Sequence, residues 1–211
     1  MTLDEIFIEC QTDKSSLTHC YAPTYEKYLE AWRDKEFTML EIGVSSGGSL
    51  RAWRKYFPKA KIFGIDNNPD CKMDGVFIGD QSDFNFLQSV LDEIGDVHVV
   101  VDDGAHHAPL TILTFEYLFP RIKENGLYFV EDTHCFYDTT YGCAPPNHGM
   151  SEVFKFFTSL ACDVDVHGRG YCGNPDYAMK LENPNFAPVP KYSKYLESMH
   201  IHTSLWLFKK R

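Results

Sequence analysis

The chain has 211 residues, enough for one domain of ordinary size with a substantial core. It is 44% hydrophobic and 15% aromatic. No uninterrupted apolar stretch reaches the roughly 18 residues a membrane-spanning helix needs, so a globular protein without a membrane anchor is expected. A formal net charge of −10 argues against a reader of phosphate backbones, whose affinity rests on basic patches, and favours a small or neutral partner.

At the N-terminus, Met1-Thr2-Leu3-Asp4-Glu5 carries acids where a secretory signal has a basic region, so the chain is expected to stay in the cytoplasm. Cys10, Cys20, Cys71, Cys135, Cys143, Cys162 and Cys172 are scattered without a CxxC pair, which reads as reduced thiols. Tyr25, Tyr28, Leu29 and Trp32 recur at helical spacing over residues 23–34, a covering helix within an N-terminal cover of residues 1–36. A strand over 39–44, a glycine-serine turn, a helix over 49–57 and a strand over 62–65 ending at Asp66 make one βαβ unit. Val76 to Ile78 reads as a third strand, and the segment after it carries Phe86, Leu87, Val90, Leu91 and Ile94 at helical intervals. Residues 97–101 (Val-His-Val-Val-Val) and 127–130 (Leu-Tyr-Phe-Val) suit strands covered on both faces. Residues 133–150 lack periodicity and are rich in Gly, Pro, His and Tyr, the character of a substrate loop. A helix over 151–161, an Asn/Pro-rich stretch and two short antiparallel strands within 199–208 complete the chain. The alternation predicts one α/β domain over residues 1–211, with a mostly parallel sheet and helices on both faces.

Two acidic clusters, Asp102-Asp103-Gly104-Ala105-His106 and Glu131-Asp132, each follow a buried strand. In open parallel sheets ligands bind beyond the carboxyl ends of strands, so four carboxylates and a histidine are expected to converge on a metal-assisted site. The first turn, Leu40-Glu41-Ile42-Gly43-Val44-Ser45-Ser46-Gly47-Gly48-Ser49, lets a cofactor approach the backbone, yet matches neither Gly-x-Gly-x-x-Gly nor a P-loop. Glu41 favours a positively charged group, and Asp66 is placed to accept from ribose hydroxyls. Asp80 and Gln81 are placed to accept from an adenine amine, and all these features fit S-adenosylmethionine. Ser45, Gly47, Ser49 and Asn67 complete the expected cofactor wall. The alternative is that Glu41 and Asp80 only cap helices or turns. Methyl transfer from a sulfonium to an alcohol needs a deprotonated oxygen, which a hard cation on carboxylates, Mg²⁺ by preference, and a neutral imidazole at His106 would supply.

These residues resemble the class I S-adenosylmethionine-dependent methyltransferases, and within them the metal-dependent O-methyltransferases that modify deoxysugars of macrolide antibiotics and related glycans. The resemblance runs over roughly residues 12 to 135. It is carried by Thr12-Asp13-Lys14, Leu40 to Gly43, Gly47 to Leu50, Trp53, Tyr56-Phe57-Pro58, Gly79 to Asp83, Asp102 to His106, Phe115, Leu118-Phe119-Pro120, Gly126-Leu127-Tyr128 and Glu131-Asp132. It implies a Rossmann-like seven-stranded sheet with an antiparallel C-terminal strand pair. It implies a divalent metal on Asp103, Glu131 and Asp132, a general base at His106, and cofactor contacts on Glu41, Gly43, Ser49, Asp66, Asp80 and Gln81. Ala105 stands where family members commonly have Ser, and the short chain is expected to lack the N-terminal extension of some sugar methyltransferases.

Several roles stay open at this level. Asp102 either meets the cofactor amino group or supports the metal from behind, and His106 has a helix-capping alternative in which His107 is the reactive imidazole. Thr12-Asp13-Lys14 either closes over the cofactor or forms an exposed turn. His134, Tyr137, Tyr141 and His148 either line the acceptor pocket or are packing or surface residues, and His200 and His202 read as strand packing. The expected activity is methylation of a sugar hydroxyl, a deoxyhexose such as rhamnose. The alternatives are a catechol acceptor, an oxygenase resembling cephalosporin hydroxylase, and a cofactor-binding domain without turnover. A homo-oligomer and membership of a larger glycan-modifying protein are both open.

Overall fold

The computed structural model describes residues 1–141, 151–168 and 191–211. Helix α1 (Leu3–Glu9) opens with a capping box, in which the Thr2 side chain accepts from the Glu5 backbone N–H and the Glu5 carboxylate accepts from Thr2 N–H at 2.9 Å. Helix α2 (Ala22–Leu29) continues into a tighter turn, Glu30–Trp32, so the expected covering helix ends in 3₁₀ form. Then follow β1 (Thr38–Ile42), α3 (Gly48–Tyr56), β2 (Lys61–Asp66), β3 (Val76–Ile78), α4 (Phe84–Ile94), β4 (Val99–Asp102), α5 (Ala108–Leu118) and β5 (Leu127–Glu131). Helix α6 (Glu152–Gly168) and the strands β6 (Leu196–His202) and β7 (Leu205–Lys210) end the described chain.

The strands form one seven-stranded sheet in the order β3-β2-β1-β4-β5-β7-β6. The five-strand block is parallel, and β7 runs antiparallel to both β5 and β6, the arrangement the resemblance implied. Alternation along the strands decides which acid faces which layer. Leu40, Val100, Tyr128 and Val130 face one layer, packed with residues of α4, α5 and α6. Met39, Val99, Val101, Leu127 and Phe129 face the other, packed with α1, α2 and α3. Glu41 shares parity with Met39, and Glu131 with Phe129, so both acids lie on the side of the N-terminal helices. Asp102 shares parity with Val100 and lies on the opposite side.

Some boundaries differ from the sequence expectation. The first strand stops at Ile42 because Gly43 turns out of it at φ +85°, and α6 runs seven residues past 161 to Gly168. Helix α5, Ala-Pro-Leu-Thr-Ile-Leu-Thr-Phe-Glu-Tyr-Leu, is apolar on nearly every side, so no hydrophobic stripe marks it in the sequence. Within the expected substrate loop, Thr133–Tyr137 and Thr139–Tyr141 form 3₁₀ turns. The rest of that loop with His148, the Asn/Pro-rich stretch, Cys143 and Cys172 lie outside the described residues. Among the described residues there is no disulfide, and no helix is long and apolar enough to cross a membrane.

Candidate active site

The carboxyl ends of β1, β2, β4 and β5 open on two adjoining pockets that share Gly43, Asp66 and Gly104 in their walls. The larger, about 410 Å³, is bounded by the segment from Gln11 to Lys14, the turn from Gly43 to Ser46, and Asp103, His106 and Asp132. The smaller, about 170 Å³, is lined by Asp66, Asn67, Asp80, Gln81, Ala105 and Leu110 among others. A Cβ at Gly43 would collide with the carbonyl of Asp103, so the close approach of these two strand ends requires glycine there. Gly47, at φ +75°, lets the chain enter α3.

Of the expected cofactor residues, Gly43, Ser45, Ser49, Asp66, Asn67, Asp80 and Gln81 line one pocket or both. Asp66 shapes the turn: its Oδ2 accepts from the N–H groups of Val44 (2.8 Å) and Ser45 (3.0 Å), and its Oδ1 from Asn68 N–H (2.9 Å). Burial works against its charge, but these backbone donors outweigh it and hold the carboxyl below the usual range. Asp80 accepts from the backbone and hydroxyl of Ser82, both at 2.7 Å. Gln81 donates to Thr114 Oγ1 (2.8 Å) and accepts from Ala105 N–H (2.9 Å), which fixes its amide across Gly104. Glu41 has no exposed surface and accepts from Ser49 Oγ at 2.7 Å. Burial pushes its carboxyl up to about 7, with Lys14 pulling the other way. Asp102 accepts from Tyr128 hydroxyl at 2.9 Å on the far face, and burial pushes it up to about 7 against that hydrogen bond.

The other acids gather on the near face. His106, in the left-handed region at φ +50°, places Nε2 3.7 Å from Asp103 Oδ1 and 3.5 Å from Asp132 Oδ2. Asp132 is also left-handed, at φ +52°, and non-glycine residues held there are concentrated at functional sites. His107 occupies the cap position of α5 without a side-chain cap bond, so the imidazole facing the acids is that of His106. Asp103, His106 and Asp132 each offer a ligand atom within 4.8 Å of the others.

Lys14 is not an exposed turn residue. Its ammonium is 1% exposed and lies 2.5 Å from Asp103 Oδ2, 2.7 Å from Glu131 Oε2 and 3.6 Å from Glu41 Oε1. Burial opposes its charge, yet the three acids outweigh that and hold its pKa well above the ordinary value. Glu131 and Asp103 are raised, first by desolvation, and the lysine opposes the rise in both. Two tyrosines that sequence reasoning did not place in the site complete the cluster: Tyr21 hydroxyl donates to Asp132 Oδ1 at 2.6 Å, and Tyr25 hydroxyl donates to Glu131 Oε1. Tyr25 was marked only by helical spacing in a covering helix, and Tyr21, just before that helix, carried no signal. One lysine faces three buried or half-buried acids, with Asp132 beside them, and this oxygen-rich donor set fits a hard divalent cation.

No known family model matches the chain. The chain is 30% identical over 205 residues to the 8-demethyl-8-alpha-L-rhamnosyl tetracenomycin-C 2'-O-methyltransferase of Streptomyces olivaceus, covering 92% of the chain and 50% of that relative. It is 37% identical over 144 residues to a 3'-O-methyltransferase of the same organism that is named for the 2-methoxy-rhamnosyl compound, covering 63% of the chain and 37% of the relative. The MycE methyltransferase from the mycinamycin biosynthetic pathway, solved in complex with Mg and SAH, superposes over 100% of the chain and 53% of its own with a TM-score of 0.82 and 25% identity. The chain has the class I methyltransferase fold. Among methyltransferases of that class it is similar to the deoxysugar O-methyltransferases, and it spans about half the length of these relatives or less.

Proposed function

We propose that the chain carries a metal-dependent O-methyltransferase site that moves a methyl group from S-adenosylmethionine to a hydroxyl of a sugar, a deoxyhexose such as rhamnose in a glycan or glycosylated metabolite. The observation that carries this reading is the convergence of His106, Asp103 and Asp132 at the mouth of a pocket whose other wall is the Gly43–Ser46 turn. The similarity to rhamnosyl O-methyltransferases supports the acceptor class, and the Mg and SAH of the structural neighbour support the two cofactors.

The cofactor is assigned to the two adjoining pockets, with Gly43, Ser45 and Ser49 shaping its approach and Asp66, Asn67, Asp80 and Gln81 on the nucleoside side, while Gly47 lines neither pocket and serves the turn into α3. Glu41 acts from behind the wall through Ser49, and Asp102 lies buried on the far face, where it accepts from Tyr128. Asp103, Glu131 and Asp132 are assigned as the carboxylates that hold the cation. When bound, a divalent cation supplies Lewis acidity that lowers the pKa of an acceptor hydroxyl. His106 Nε2 takes the hydroxyl proton, and Asp132 and Asp103, at 3.5 and 3.7 Å, stabilise the imidazolium that results.

Calorimetric titration tests the reading. S-adenosylmethionine should bind the metal-free protein, and a rhamnoside should bind only when Mg²⁺ is added. Absence of cofactor binding would discard the methyltransferase assignment.

A further inference from the structure

We propose that Lys14 is the resident counter-cation of the acid cluster and that a divalent cation binds there by exchange with its ammonium. The inference rests on the cation site proposed above. Both carboxylate oxygens of Glu131 are already engaged, Oε2 by Lys14 Nζ at 2.7 Å and Oε1 by the hydroxyl of Tyr25. Asp103 Oδ2 is held by the same ammonium at 2.5 Å. The ammonium thus sits where a cation bridging Asp103 Oδ2 and Glu131 Oε2 would sit, and two positive charges that close repel, so one has to leave.

Tyr25 keeps its place on Glu131 Oε1. Its ring is fully buried and packed against Trp53 and Phe129 at centroid distances of 5.0 and 4.8 Å, so moving it would break the packing of α2 on the sheet. Lys14 can move, because it is one of the residues bordering the 410 Å³ pocket and its four-carbon stem is flexible, which gives the ammonium somewhere to go. Charge points the same way. An ammonium brings one positive charge to Asp103, Glu131 and Glu41, and a divalent cation brings two to the oxygens it displaces. The competing arrangement is a cation on Asp103 Oδ1, Asp132 and His106, which lie within 4.8 Å of one another and leave Lys14 in place. It would occupy the imidazole and give the cation a nitrogen ligand, whereas exchange gives it carboxylate oxygens alone, the set a hard cation prefers.

The test is Mg²⁺ binding to the cofactor-free protein by calorimetry, with Lys14→Met and Lys14→Arg beside the wild type. Exchange reduces apparent affinity by the fraction of sites the lysine leaves open, so Lys14→Met should bind Mg²⁺ more tightly by on the order of tenfold or more, and Lys14→Arg no more tightly than wild type. A second measurement needs no variant. Acylation of the wild-type chain by an activated ester, read by mass spectrometry, should spare Lys14 without Mg²⁺ and modify it at saturating Mg²⁺. Equal or weaker Mg²⁺ binding in Lys14→Met, or a Lys14 that stays protected at saturating Mg²⁺, overturns the exchange and leaves the cation reading intact. Mg²⁺ binding to none of the proteins overturns both.

Discussion

His106 Nε2 stands 3.5 Å from Asp132 Oδ2, across the gap between the turn after β4 and the turn after β5, and both residues have left-handed backbones. Replacing His106 with Ala should lower kcat by about 10²–10⁴-fold while leaving S-adenosylmethionine affinity close to wild type, because the ring meets the acids and not the cofactor turn. Turnover assays paired with calorimetry check this, and unchanged turnover across pH removes His106 as the base.

Asp103 and Glu131 should fail differently. Asp103→Ala removes a carboxylate that is 18% exposed at the pocket wall, so the expected result is loss of Mg²⁺-dependent turnover with a modest loss of stability. Glu131→Ala removes a fully buried partner of Lys14 and Tyr25, and breaking a buried pair from one side costs about 3–5 kcal/mol. Urea unfolding of both variants beside turnover measurements separates the two effects.

The core and the sheet were legible in the sequence because β4 and β5 are rich in β-branched and aromatic residues, and strand parity carries directly into which layer each residue meets. Asp103, His106 and Asp132 were legible because acids and a histidine directly after such strands have nowhere to go but the crevice. Lys14 and Tyr25 were not. They come to Glu131 over sequence separations of 117 and 106 residues, and nothing local marks a tyrosine on a covering helix as the one whose hydroxyl reaches across the sheet end. Helix α1 had a legible signal in Thr2 and Glu5, spaced as a capping box.

Asp102 and Glu41 predict an inverted pH dependence for the metal-free protein. Burial raises both carboxyls to about 7, so the folded chain holds more protons than the unfolded chain between about pH 4 and about pH 7. Their contribution is present below the unfolded pKa and is lost as pH rises through the folded one. The denaturation midpoint in chelator should fall across that window, and Asp102→Asn, which can still accept from Tyr128, should flatten the fall. A midpoint that rises across the window contradicts the assignment.

Gly43→Ala should abolish cofactor binding. Its φ of +85° costs a residue with a side chain about 1 kcal/mol, and the added methyl would push on the Asp103 carbonyl, moving the turns that bear Ser45 and His106. Thermal melting and cofactor titration of this variant check both consequences.

The most direct test of the central claim is product analysis by mass spectrometry after incubating the protein with S-adenosylmethionine and a rhamnoside, with Mg²⁺ or with chelator. The account predicts a rhamnoside carrying one added methyl group on a hydroxyl in the Mg²⁺ reaction and none with chelator. Methylation that persists in chelator, or a protein that binds cofactor and Mg²⁺ yet methylates catechols and no sugar, would contradict it.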